Sequence, residues 1–146
     1  TDLVDAVLAT GSTDPVAIEA RAQAMDALSK APEFGPLKTT FKRVMGLTKD
    51  HTSTQYAPDA LVDAAETALH EQLQSVQTQA ATMADALDFS GSLTALSSLK
   101  APVDTLFDAV MVMHDDPSVR GNRLGLLRSV ADQFRRIADF THLSQD

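Results

Sequence analysis

The sequence has 146 residues, no cysteine and a formal net charge of −8 at pH 7. This length fits one domain, the absence of cysteine excludes disulfides and thiolate metal sites, and the negative charge opposes indiscriminate binding to nucleic acid. No apolar run approaches the roughly 18 residues of a membrane span, and no signal peptide is evident. We therefore expect a cytoplasmic protein without a membrane segment.

The composition predicts an all-α fold, because good helix formers are abundant and the alternation typical of strands is rare. Asp14 and Asp116 each precede a proline, which is the pattern of a helix cap followed by the first helical turn. The expected architecture is a helical bundle of about six to seven helices. In chain order, the predicted helices cover residues 2–10, 15–30, 33–47, 59–87, 93–99, 102–113 and 117–140.

Charge is distributed unevenly along the chain. Residues 50–99 contain neither lysine nor arginine, so the middle of the chain is acidic. Two basic islands flank it, and we expect them to converge on one side of the bundle. The first island consists of Lys38, Lys42, Arg43 and Lys49, and the second of Arg120, Arg123, Arg128, Arg135 and Arg136.

One arginine of the last helix lies where an apolar residue is expected. A rotation of about 100° per residue places Arg123 within the same sector as Leu127 and Val130. An unpaired charge in an apolar face is costly, so the fold should supply a carboxylate. Asp104 or Asp108 on the preceding helix is the predicted partner, and contact of the arginine with a ligand is the alternative.

Three other arginines of this helix are not required by the apolar pattern. Arg120, Arg128 and Arg135 lie on its flank, where guanidinium groups could contact phosphates or base edges. A solvated face with intrahelical ion pairs is the alternative. Tyr56 lies in a polar loop and is a candidate for stacking on a base, although an ordinary loop tyrosine would look the same.

No catalytic site is predicted within this chain. The four histidines are far apart and lack metal-ligand spacings, there is no cysteine nucleophile, and no glycine-rich phosphate loop occurs. We therefore expect neither catalytic nor metal-binding residues here.

Two stretches carry a resemblance to a known family. "PVDTLFDAVMVM" and "RGNRLGLLRSVADQFRRIADFTHL" resemble the C-terminal end of bacterial glycyl-tRNA synthetase beta subunits, and "RAQAMDALSKAPEFGPLKTTFKRV" supports this upstream. The similarity covers residues 17–143. Gly46 stands where the family usually has asparagine, and Leu106 replaces an expected phenylalanine.

The resemblance implies a DALR-type anticodon-binding domain. Residues 1–146 would form a single domain, a C-terminal fragment of a longer subunit, which fits a chain that begins at Thr1. It also implies glycine tRNA, a catalytic alpha subunit and the rest of the beta subunit as partners. No cofactor is expected in this fragment, whereas the parent complex would use ATP and Mg²⁺.

An anticodon reader holds the RNA backbone with basic side chains and reads splayed bases at their edges. For this task we predict contacts of basic side chains with phosphates and of a polar pair with cytosine edges. A helical protein-interaction or subunit-docking module is the alternative function. The predicted phosphate contacts are Lys42, Arg43, Arg128 and Arg135, and the predicted base readers are Arg120 and Asn122.

Overall fold

A computed structural model describes residues 2–143 of the chain. All regular secondary structure in this range is helical, which confirms the all-α prediction. None of these helices combines the length and apolar character needed to cross a lipid bilayer. The elements are α1 (Asp2–Leu8), α2 (Pro15–Ser29), α3 (Phe34–Leu47), α4 (Ala64–Asp85), α5 (Phe89–Ser97), α6 (Lys100–Ala109) and α7 (Pro117–Arg135), with short 3₁₀ helices at Pro58–Ala60 and Phe140–His142.

Side-chain caps fix the starts of several helices. The Asp14 carboxylate accepts from the Val16 N–H at 3.0 Å, and the Asp116 carboxylate accepts from the Ser118 N–H at 2.8 Å, as the Asp-Pro pattern predicts. Asp63 caps α4 in the same way. The fourth helix therefore begins later than predicted, because its capping acid is Asp63.

Two helix boundaries near the middle of the chain differ from the prediction. α5 begins at Phe89, since the Asp88 carboxylate accepts from the Gly91 N–H at 2.9 Å and caps the helix there. α6 ends at Ala109 rather than at residue 113. Val110 is already extended, with φ −135° and ψ 156°, so residues 110–113 form a non-helical segment instead of a last helical turn.

α3 and α7 pack against each other and run antiparallel. The Phe41 ring on α3 lies 4.0 Å from the Phe134 ring near the end of α7, whereas Thr48 after α3 accepts a hydrogen bond from Arg128, further back along α7. Phe140 packs edge-on against Phe134 and closes the same core. The ends of the two basic islands are therefore brought together where α3 terminates.

Candidate RNA interface

Arg123 is buried and forms an ion pair across the core. Its Nε lies 2.9 Å from Glu66 Oε1, and the two side chains are only 7% and 2% exposed. Its Nη1 also donates to the Met111 carbonyl at 2.7 Å. One guanidinium group thus ties the first turn of α4, the segment after α6 and the middle of α7 together.

The predicted carboxylate partners of Arg123 were wrong. Asp104 instead accepts from Lys100 in its own helix and from the Thr40 hydroxyl at 2.8 Å, so it faces α3. Asp108 is exposed. The charge on Arg123 is balanced by the carboxylate of Glu66 on α4, which lies 57 residues earlier in the sequence.

Residues 54–57 form a loop segment that is hydrogen-bonded to α7. We call this segment the strap. The Asn122 side chain accepts from the Ala57 N–H at 2.6 Å and donates to the Ala57 carbonyl at 3.1 Å. The Ser129 hydroxyl donates to the Thr54 carbonyl at 3.1 Å. Asn122 was predicted to read a base, but both ends of its amide are used within the protein. Its role in RNA binding stays a prediction.

Tyr56 belongs to the strap and packs against α4. Its hydroxyl lies 2.6 Å from Nδ1 of His70, and the two rings meet edge to face. Burial raises the pKa of the Tyr56 phenol above its ordinary value, while a side-chain hydrogen bond with Gln74 acts in the opposite direction. Tyr56 is thus engaged inside the protein rather than presented as a free stacking platform.

Replacing Gly125 by alanine is expected to detach the strap. A Cβ at this position would lie 2.2 Å from the Gln55 carbonyl oxygen and 3.2 Å from the Tyr56 Cβ, so backbone must move. Overpacking costs about 1–3 kcal/mol, and the better helix propensity of alanine offsets about 1 kcal/mol of it. We expect a net loss of unfolding free energy in urea denaturation and faster proteolysis within residues 54–57.

Gly121 offers the matched control on the same helix. A Cβ there meets nothing within 4 Å, so Gly121→Ala should stabilise the protein by up to about 1 kcal/mol. Equal behaviour of the two alanine variants would show that the strap does not depend on its close approach to α7.

Three of the predicted contact residues make other contacts. Arg120 donates to the His114 carbonyl at 2.8 Å, and Lys42 donates to the Leu143 carbonyl. Arg43 is exposed, and its guanidinium carbon lies 3.9 Å from the centre of the Phe107 ring. None of these three residues lines the cleft described next, so the basic islands converge only in part.

A cleft of about 420 Å³ lies where the end of α3 meets the end of α7. Its basic side chains are Lys49, which is exposed, and Arg128 and Arg135, whose side chains are 16% and 23% exposed. Gly46 contributes to the wall, and a Cβ there would meet nothing within 4 Å. The remaining lining residues are Met45, Thr52, Asp139 and Thr141.

The charges of this cleft are only partly balanced within the protein. Asp132 accepts from Arg128 at 3.0 Å and more weakly from Arg135 at 3.4 Å, so two guanidinium groups share one carboxylate. Asp139 lies on the wall but accepts from the N–H and hydroxyl of Thr141. Lys49 has no ion pair among those found for residues 2–143. The cleft therefore keeps a local positive charge on a protein that is negative overall.

Lys49 was predicted to belong to the first basic island but not to contact RNA. It follows the last turn of α3. Because that helix was predicted to end at residue 47, Lys49 was interpreted as part of an ordinary polar loop. Lys49 lies seven residues after Lys42 and three after Gly46. Residues three or seven positions apart lie on one face of a helix. This spacing was the signal in the sequence that Lys49 lies on the same side as Lys42 and Gly46.

Comparison with known proteins agrees with the helical fold. Residues 38–141 match the DALR anticodon binding domain family, and this span is well over half of the chain. The chain belongs to this family. The DALR match includes α4, α7 and most of α3, and it also includes every basic residue that lines the cleft.

This DALR domain is also similar to part of several longer proteins named glycine--tRNA ligase beta subunit. It is 39% identical over 143 residues to the protein of a Geobacter species and 38% identical to that of Citrifermentans bemidjiense; both alignments cover 98% of this chain. It is 35% identical over 150 residues to the protein of Myxococcus xanthus, with all of this chain covered. In each case the chain spans only 21% of the relative's length.

Proposed function

We propose that this DALR domain binds the anticodon region of glycine tRNA for a glycine--tRNA ligase. The observation that carries the proposal is the cleft at the end of α3, in which Lys49, Arg128 and Arg135 outnumber the available carboxylates. Basic side chains in a concave site suit phosphates of a folded RNA loop. The similarity to ligase beta subunits supports glycine tRNA as the RNA.

The distribution of charge fits a localised interaction. A net charge of −8 repels RNA from most of the surface, whereas the cleft attracts it at one place. Such a protein gains selectivity, because weak contacts elsewhere are disfavoured. RNA binding should therefore be confined to the end of the bundle where α3 and α7 meet.

In this proposal the domain performs no chemistry. It would work in the cytoplasm as part of a beta subunit, together with a catalytic alpha subunit, and ATP and Mg²⁺ would be used elsewhere in that complex. The contribution of this chain is to hold the tRNA by its anticodon loop. Glycylation itself then depends on residues outside this sequence.

Titration of the chain with glycine tRNA tests this function. Fluorescence anisotropy at several salt concentrations should give an affinity that falls linearly on a plot of log K against log salt, because cations are released from phosphates. A glycine tRNA with a substituted anticodon should bind at least several-fold more weakly. Equal and negligible binding of both RNAs would reject the proposal and favour a subunit-docking module.

A further inference from the structure

Two exposed methionines form a ridge beside α7. In the non-helical segment that follows α6, exposed and buried side chains alternate. Val112 points inward and is 7% exposed, while Met111 and Met113 are 70% and 53% exposed. We call these two side chains the methionine ridge. Contiguous apolar side chains at a surface mark binding sites, whereas singly scattered ones are ordinary.

Two arginines of α7 hold the backbone of this ridge. Arg123 donates to the Met111 carbonyl and is itself anchored by Glu66. Arg120 donates to the His114 carbonyl, just after the ridge. Two side chains of α7 thus satisfy main-chain acceptors of a segment that has no helix or sheet partner, and they fix which side chains face outward.

A planar cationic group lies against α6, the helix that precedes the ridge. Arg43 lies over the Phe107 ring, four residues before Met111, and is exposed to solvent. One side of its guanidinium is covered by the ring, so the group is oriented before any ligand arrives. Unpaired bases stack on such guanidinium planes and contact apolar side chains.

We propose that the methionine ridge and Arg43 contact unpaired bases of the RNA whose backbone occupies the basic cleft. The inference rests on the proposed function. Arg43 lies three residues before Gly46 of the cleft wall, within one turn of α3, so one RNA loop can reach both places. The cleft holds phosphates, and the ridge receives bases.

The charges next to the ridge suit a base better than a phosphate. Asp108 and Asp115 are both exposed near it. Carboxylates repel phosphate groups, but they accept hydrogen bonds from the exocyclic amino group of cytosine or adenine. The ridge therefore favours bases that carry an amino group.

The test compares two double variants in the tRNA titration. Met111→Gln with Met113→Gln should weaken binding of glycine tRNA about ten-fold, because apolar base contacts are lost. The slope against log salt should stay unchanged, since no phosphate contact is removed. Leu8→Gln with Val16→Gln, at side chains that are 50% and 62% exposed on α1 and α2, should leave both quantities unchanged.

Arg43→Lys separates stacking from charge. Lysine keeps the positive charge but lacks the planar guanidinium group. We therefore expect several-fold weaker RNA binding with the same salt slope. If the unmodified chain binds and both this variant and the methionine variant bind with the same affinity, the proposal for the ridge is overturned. The proposed function would then stand. Absence of binding by the unmodified chain would overturn the proposed function as well. Normal RNA binding combined with loss of binding to the other ligase subunits would instead identify the ridge as a protein interface.

Discussion

Glu66→Ala is expected to lower the free energy of unfolding by about 3–5 kcal/mol, because it leaves the Arg123 charge buried without its carboxylate. The two side chains are 2% and 7% exposed, so solvent screens the pair very little. Natural domains are stable by only about 5–15 kcal/mol, and this loss is therefore a large part of the total. Urea denaturation, with the midpoint and slope fitted separately, measures it.

Variants of the carboxylates on α6 provide the controls. Asp104→Asn and Asp108→Asn should each cost less than about 1 kcal/mol, since the Asp104 side chain is 40% exposed and Asp108 is exposed. A larger loss for Asp104→Asn than for Glu66→Ala would show that the charge on Arg123 is balanced from α6 after all.

A double variant distinguishes the ion pair from general packing at this site. Glu66→Leu combined with Arg123→Met removes both charges together, so it should be more stable than either single variant. Recovery should be incomplete, because the Met111 carbonyl also loses its donor. Simple addition of the two single losses would contradict a direct interaction.

The abundance of helix formers was sufficient to predict the fold class, and the Asp-Pro pairs predicted the caps at Asp14 and Asp116. The pattern of apolar residues predicted that Arg123 would be buried. It was not sufficient to identify the partner, since that depends on which helices become neighbours in space. The relevant signal was nevertheless present, because Glu66, Leu69, Leu73 and Val76 follow a spacing of three, four and three along α4, and an acid in that apolar stripe is the counterpart of an arginine in another.

The candidate site was predicted less well than the fold. A helix position indicates which side chains lie on a flank, but it does not show whether a loop covers that flank. The strap occupies the part of α7 that carries Asn122 and Ser129, and the segment after α6 engages Arg120. Only tertiary structure separates these residues from Arg128 and Arg135, which line the cleft.

Charge reversal of the cleft is expected to give the largest loss of RNA binding. Lys49→Glu with Arg135→Glu should weaken the affinity for glycine tRNA at least about ten-fold and reduce the salt slope by about 1.4, at about 0.7 per lost contact with a single strand. Arg128 is a poorer target, because it also donates to the Thr48 carbonyl and its loss would disturb the end of α3. Anisotropy titrations over a range of salt concentrations measure both quantities.

A control with the same change in net charge decides whether the effect is local. Lys30→Glu with Lys100→Glu changes the net charge from −8 to −12, as the cleft variant does, but alters α2 and the start of α6. If the long-range charge of the protein governed binding, both variants would lose affinity equally. A cleft that contacts phosphates directly predicts that the control keeps its full salt slope, since ions are released only where phosphates are touched.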